Sequence, residues 1–315
     1  MNNSTLAQLA DLLTSALAAP PTEARRLIHG RGRRLPGLEQ LTVDWLEGVV
    51  RVGLFRELPA DELAALRSTL MALADSSAWI ASGAKSLLLQ HRYRLDAASE
   101  ALIGAPVGEH VIHEDGLKFG LDLSRHQNMG LFLDMRLGRR WVREQAAGRR
   151  VLNLFAYTCG FSVAALAGGA ARVVNLDMAR GPLTRGRENH RLNGHDLSQV
   201  SFLGHELFKS WGKVRKLGPY DLVIVDPPSF QQGSFALTKD YARILRRLPE
   251  LLAPGGRVLA CVNDPGVGAD FLIAGMAEEA PGLAFVERLA NPPEFADEDP
   301  EGGLKVLVFQ QEQAS

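Results

Sequence analysis

The chain has 315 residues, 46% hydrophobic and 23% charged, with a formal net charge of −1. That balance is ordinary for a globular protein, and the length leaves room for two domains with separate cores. It excludes a disordered or broadly cationic chain, so contact with nucleic acid must rest on local patches, and no apolar run is long enough to span a bilayer.

Residues 4–18 have helical spacing and stop at Ala19-Pro20-Pro21. Asp11 interrupts the apolar run and no basic residue precedes it, so no secretory signal is expected. A cytoplasmic location follows, in which Cys159 and Cys261 stay free. A basic segment comes next, with Arg25, Arg26, Arg31, Arg33 and Arg34 around two glycines. It reads either as a solvated loop or as a surface for phosphates. Residues 42–46 and 49–54 flank Glu47-Gly48 as a hairpin, Pro59 opens a helix to about Ala74, and 85–90 is a strand. Residues 1–24 are thus an N-terminal helical segment, and 25–107 a small α/β domain that could contact RNA.

A second hairpin, 109–113 and 117–123, turns at Glu114-Asp115-Gly116. The stretch NMGLFLDMR, 128–136, leads into an arginine-rich helix ending near Gln145. Residues 151–177 then form a βαβ unit: strand 151–155, turn 157–160, helix 161–166, a break at Gly168-Gly169, and strand 172–176 ending in Asp177. A right-handed crossover makes the strands parallel, and a ligand belongs beyond their carboxyl ends, at the 156–160 turn. Asp177 is placed to accept hydrogen bonds from a ribose diol, and Met178 beside it is grouped with the cofactor-binding positions. The turn AYTCGF has one glycine, Gly160, and no G-x-G-x-x-G cradle for a pyrophosphate. S-adenosylmethionine fits a phosphate-free site of this kind.

Strand and helix alternate onward: helix 182–192, strand 200–203 leading to Glu206, strand 221–225 leading to Asp226, helix 241–252, strand 257–262, and strands 285–289 and 304–309. Alternation of this kind predicts an α/β doubly wound, Rossmann-like sheet over 108–315, with the second hairpin at its N-terminus. Three acids end successive strands: Asp177 for the ribose, Glu206 for the adenine amino group, Asp226 for the methyl acceptor. In Asp226-Pro227-Pro228-Ser229-Phe230 the prolines remove two amide donors and leave carbonyls free to accept. That is an acceptor-rich pocket for an N–H-bearing base edge, with Phe230 to stack on the base.

From Arg25 to Phe309 the chain resembles the RlmI/RlmK group of class I S-adenosylmethionine-dependent methyltransferases, which modify bacterial large-subunit ribosomal RNA. RLIHGRGRRLPGL, HEDGLKFGLDLS, MGLFLDMR, VLNLFAYTCGFS, VVNLD and VDPPSF carry the resemblance. It implies that Phe132, Asp134 and Arg136 help close the cofactor site, and that Asn153, Phe155, Tyr157 and Gly160 line it. Cytosine-C5 members carry an N-terminal RNA-binding PUA domain, expected to be absent here. They also need a cysteine after the fifth strand, and that position falls on Asn263, as in the guanine-N7 type. Cys261, two residues earlier, reads as a small buried hydrophobe. The expected activity is methyl transfer to a base nitrogen of ribosomal RNA, positioned by Asp226, Asn263 and Phe230 without a metal. A small-molecule or protein methyltransferase, or a non-catalytic assembly factor that binds the cofactor, are the competing readings.

Overall fold

The computed structural model describes residues 1–124, 127–231 and 235–312, with the backbone alone at Phe230 and Gln231. Residues 1–133 and 292–300 form one compact unit, and 134–291 with 301–315 form a second.

In the first unit α1 (Asn3–Ala18) starts where the Asn2 side chain accepts the Thr5 amide at 2.9 Å. It buries Leu6, Leu9, Leu13 and Leu17, three or four residues apart. A five-stranded sheet follows in the order β1 (Arg25–His29), β2 (Leu41–Leu46), β3 (Val49–Leu54), β4 (Ser86–His91), β5 (Ser99–Ile103). Only β3 and β4 are parallel, and α2 (Ala60–Met71) and α3 (Ser77–Ser82) make the crossover between them. The first part of the basic segment, with Arg25 and Arg26, is therefore an edge strand, while Arg31, Arg33 and Arg34 follow it in a 3-10 turn and the loop beyond. Without β1, the outer N–H and C=O groups of β2 would lack partners. Its charges had hidden the strand pattern.

The hairpin β6 (Glu109–Glu114) and β7 (Leu117–Asp122) turns through Asp115 and Gly116 at φ of 50° and 77°, the left-handed pair that suits a two-residue loop. Sequence spacing grouped it with the C-terminal domain, whereas its contacts put it in the first unit. Ala24 donates to the His113 carbonyl at 3.1 Å, His110 Nε2 meets the Leu46 carbonyl at 2.6 Å, and Glu47 holds His113 Nδ1 at 2.9 Å. Partners 64 to 89 residues away leave no local trace.

The second unit runs α4 (Arg136–Gln145), β8 (Arg150–Leu154), α5 (Gly160–Ala167), β9 (Arg172–Asp177), α6 (Arg180–Leu192), β10 (Val200–Gly204), α7 (Trp211–Leu217), β11 (Tyr220–Val225). It continues with β12 (Phe230–Gln231), β13 (Phe235–Ala236), α8 (Leu237–Leu245), α9 (Leu248–Leu251), β14 (Leu252–Val262), α10 (Asp270–Glu279), β15 (Leu283–Leu289) and β16 (Lys305–Gln311). The large sheet has the order β10-β9-β8-β11-β14-β16-β15; its first five strands run parallel, and β16 pairs antiparallel with both β14 and β15, so β16 alone runs against the others. This is the doubly wound α/β sheet the sequence predicts. Strand order reverses between β8 and β11, which opens a crevice at their carboxyl ends. The helix expected over 241–252 is two, because Pro249 lacks an amide and restarts the turn at α9.

Helix α6 packs so closely on the β8–α5 turn that a Cβ at Gly186 would lie 2.4 Å from Cys159 Sγ, whereas one at Gly181 would meet nothing within 4 Å. Gly186→Ala should therefore cost roughly 1–3 kcal/mol in urea denaturation, as overpacking does. Gly181→Ala in the same helix should gain about 0.5–1 kcal/mol. Equal effects of the two would mean that the close approach carries no energetic weight.

Candidate functional site

The turn after β8 carries three non-glycine residues in the left-handed region, Phe155, Tyr157 and Cys159, at φ of 56°, 48° and 63°. Each costs on the order of 1–2 kcal/mol, so the surroundings must hold them there. Ala156 donates to the Leu176 carbonyl at 3.0 Å, and Cys159 to the Ala156 carbonyl at 2.7 Å. Asp177 supplies the remaining tie. Its Oδ2 accepts the Tyr157 amide and its Oδ1 the Ala179 amide, both at 2.8 Å. Burial pushes the Asp177 carboxyl above its ordinary range, against those two bonds. Each oxygen keeps a second lone pair for another donor.

Beside it is a pocket lined by Phe155, Leu176, Asp177, Met178, His205, Glu206, Leu207 and Phe208. Glu206 Oε1 accepts the Phe208 amide at 2.8 Å, and Lys209 approaches its other oxygen at 3.5 Å. Lys213 is taken up by His205 Nε2 at 2.9 Å. Arg243 sits over the outer ring, with its guanidinium carbon 3.7 Å from the Phe208 centroid. Apolar walls and two carboxylates suit a flat base with N–H donors and a diol. Those groups fit the adenosine portion of S-adenosylmethionine.

Asn153, expected to line the cofactor site, sits buried inside the fold, and its Nδ2 donates to Asn175 Oδ1 at 2.9 Å. Asn175 Nδ2 donates to Ser162 Oγ, which meets His190 Nε2, each at 2.9 Å, and His190 Nδ1 meets His195 Nδ1 at 3.0 Å. This polar chain pins α5 and α6 to the sheet. Burial pushes His190 down to about 3, so its ring stays neutral. Gly160 opens α5, and Tyr157 contributes its amide to Asp177. Phe132 is exposed and belongs to the first unit. Asp134 and Arg136 stand at the start of the second, where Arg136 begins α4.

The ends of β11 and β14 lie side by side. Ser229 Oγ donates to the Asn263 carbonyl at 2.9 Å, joining the D-P-P-S turn to the predicted acceptor-side asparagine. Pro227 is buried and Pro228 exposed. Burial, and then the nearby Asp134 carboxylate, push Asp226 up to about 7, with the buried Arg139 opposing. The stacking role given to Phe230 concerns a side chain outside the described residues. Cys261 is fully buried, and burial with the two carboxylates pushes its thiol well up.

Three further residues shape this edge and were missed. Tyr241 Oη donates to the carbonyls of Cys261 at 3.1 Å and Val225 at 3.3 Å, clasping the two strand ends. Lys305 is fully buried, and its Nζ donates to the carbonyls of Asp264 at 2.7 Å and Glu301 at 2.9 Å, which fixes the chain just past Asn263. Arg139 is the third. The one sequence signal was Lys305, an ammonium inside the apolar run Leu304-Lys305-Val306-Leu307.

Residues 25–310 match the family described as S-adenosylmethionine-dependent methyltransferase. The chain is 39% identical over 153 residues to ribosomal RNA large subunit methyltransferase I of Aeromonas salmonicida, covering 47% of this chain and 39% of that protein. It is 40% identical over 160 residues to ribosomal RNA large subunit methyltransferase K/L of Shewanella loihica, covering 49% of this chain and 22% of that protein. The chain therefore spans well under half the length of these relatives. SMU.776, solved as a complex with SAH, shares the fold at a TM-score of 0.83 and 23% identity, over 97% of this chain and 80% of that one.

Asp226 sets a pH dependence. Its folded pKa of about 7 lies above the unfolded value near ~3.9, so between them the native state keeps a proton that the unfolded chain releases. Stability should fall as pH rises from about 4 to about 7 and then level off. Asp226→Asn should flatten that slope and raise the unfolding free energy at pH 8 by at most about 4 kcal/mol before screening by solvent. A variant with an unchanged slope would remove Asp226 as its cause.

Proposed function

The chain belongs to the S-adenosylmethionine-dependent methyltransferases, and on that premise we propose that it methylates a base nitrogen of ribosomal RNA, guanine N7 in preference to cytosine C5. The names of the two curated relatives support an RNA substrate. Burial of Cys261 carries the choice of atom. Cytosine C5 is a poor nucleophile, and its methylation requires a thiolate that adds to C6. The chain has two cysteines, both fully buried with their thiols pushed up by desolvation. Neither supplies thiolate at neutral pH.

S-adenosylmethionine, the cofactor, supplies a methyl group on a sulfonium, which a lone pair can displace in line. Asp177 holds the ribose hydroxyls and Glu206 the adenine amino group. Phe155 and Met178 cover the base, and the Tyr157–Gly160 turn receives the methionine portion. Asp226, the Pro227 and Pro228 carbonyls and Asn263 orient the acceptor base. Guanine N7 has no proton to lose, so these groups need only hold it in line and exclude water. With a pKa near neutrality, Asp226 can accept from a base N–H as the carboxylate or donate to a base carbonyl as the acid.

Two measurements test this reading. Asp177→Ala should weaken cofactor binding in calorimetry by about 1.5–3 kcal/mol, the worth of charged hydrogen bonds to the diol. Unchanged affinity would remove Asp177 from the site. With ribosomal RNA fragments and labelled cofactor, Cys261→Ala should keep most activity, while Asp226→Ala should lose about 100-fold or more in kcat/KM with cofactor affinity preserved. A covalent adduct on 5-fluorocytosine RNA that disappears in Cys261→Ala would overturn the nitrogen assignment.

A further inference from the structure

In the first unit, arginines gather around one buried carboxylate. Asp44, fully buried in β2, accepts Arg26 Nε at 2.5 Å and Arg51 Nη1 at 3.1 Å. Arg51 is itself buried and gives its other terminal nitrogen to Gln90. Two more arginines converge just outside. Arg31 and Arg92 both lie over the half-buried Phe55 ring, their guanidinium carbons 4.4 and 4.9 Å from its centroid. Neither has a carboxylate within ion-pair distance among the described residues. The Nε atoms of Arg92 and Arg51 are buried without a hydrogen-bond partner.

The surplus is positive even when every nearby acid is counted. Arg26, Arg31, Arg51 and Arg92, with Arg33 next to Arg31, face Asp44 and Asp297. His29 lies between Arg26 and Asp297, and burial with the neighbouring arginines pushes it down to about 4, so it adds no charge at neutral pH. Burial and three neighbouring guanidinium groups pull Arg92 down to about 10. Charges concentrated in this way repel one another and are partly desolvated, which works against folding. An anion would relieve both costs. A guanidinium held over an aromatic ring keeps its planar fork, which matches phosphate oxygens.

We infer that Arg31 and Arg92, platformed on Phe55 and backed by the Arg26–Asp44–Arg51 cluster, form a seat for a single phosphate group. That the phosphate belongs to an RNA backbone rests on the function proposed above. Arg25, by contrast, is paired with Glu23 at 3.3 Å and lies 3.9 Å from Asp115, so it belongs to the fold and not to this seat.

The test uses the full chain in two arms, with Arg92→Gln, Arg31→Gln and, as a charge-loss control in the other unit, the exposed Lys216→Gln. In the first arm, inorganic phosphate replaces chloride at constant ionic strength. Phosphate should raise the melting temperature of the parent and of Lys216→Gln saturably, and the two seat variants should lose that increment. In chloride, Arg92→Gln should melt no lower than the parent, since it removes a repelled charge. If Arg92→Gln melts lower and still responds to phosphate, the stacked arginines are packing only and the seat is refuted. In the second arm, a short single-stranded RNA replaces the phosphate ion. Each seat variant should bind it roughly tenfold more weakly near 0.1 M salt and lose about 0.7 from the slope of log affinity against log salt. Phosphate protection in a parent that binds no RNA would leave the seat standing and refute the RNA reading. RNA binding whose salt slope is unchanged in both seat variants would refute the assignment of the seat to the RNA backbone.

Discussion

One carboxylate between two backbone amides holds the second unit's site together. Asp177 ends β9 and takes the amides of Tyr157 and Ala179, which joins the β8–α5 turn to the start of α6. With the bonds of Ala156 and Cys159, that tie keeps three non-glycine residues left-handed. The strained turn stands where strand order reverses, and Phe155 lines the pocket with Asp177 and Met178. A glycine-rich turn would have relaxed the same geometry, but with a more flexible backbone. Here rigidity comes from hydrogen bonds and from the contact of Gly186 with Cys159 behind the turn.

Charge placement divides the second unit into parts with different work. Lys305 and Tyr241 spend their polar atoms on backbone carbonyls and so fix the ends of β11 and β14. The His190 chain links side chains by hydrogen bonds around a neutral ring, a means of fastening helices to the sheet. Asp226 differs. It is left in a place where its ionisation is opposed by burial and by Asp134, and perturbation of that kind accompanies functional carboxylates more often than structural ones. The first unit shows the same contrast with opposite sign. Asp44 compensates Arg26 and Arg51, while Arg31 and Arg92 remain available above Phe55.

Local pattern was enough for the central βαβ unit, for both hairpins and for the acids that end β9, β10 and β11. Apolar runs, glycine and proline punctuation and a carboxylate after a strand are all written within a few residues of one another. Alternation along Val151-Leu152-Asn153-Leu154 also sets Asn153 on the face of Val151, which packs toward α5, so its turn away from the pocket was readable from strand period alone.

Other features depended on residues far apart in the chain. The strand β1, the membership of the β6–β7 hairpin, the clasp made by Tyr241 and the hold of Lys305 on Asp264 rest on partners between 13 and 93 residues away. The same holds for the arginine cluster, since Arg31, Phe55 and Arg92 meet only once β1 to β4 are in register. Sequence determined which chemistry the chain carries and on which strand ends it falls, because those signals are short-ranged. Tertiary structure decided which side chains are desolvated and which charges confront one another, because burial and electrostatic environment are properties of the assembled neighbours.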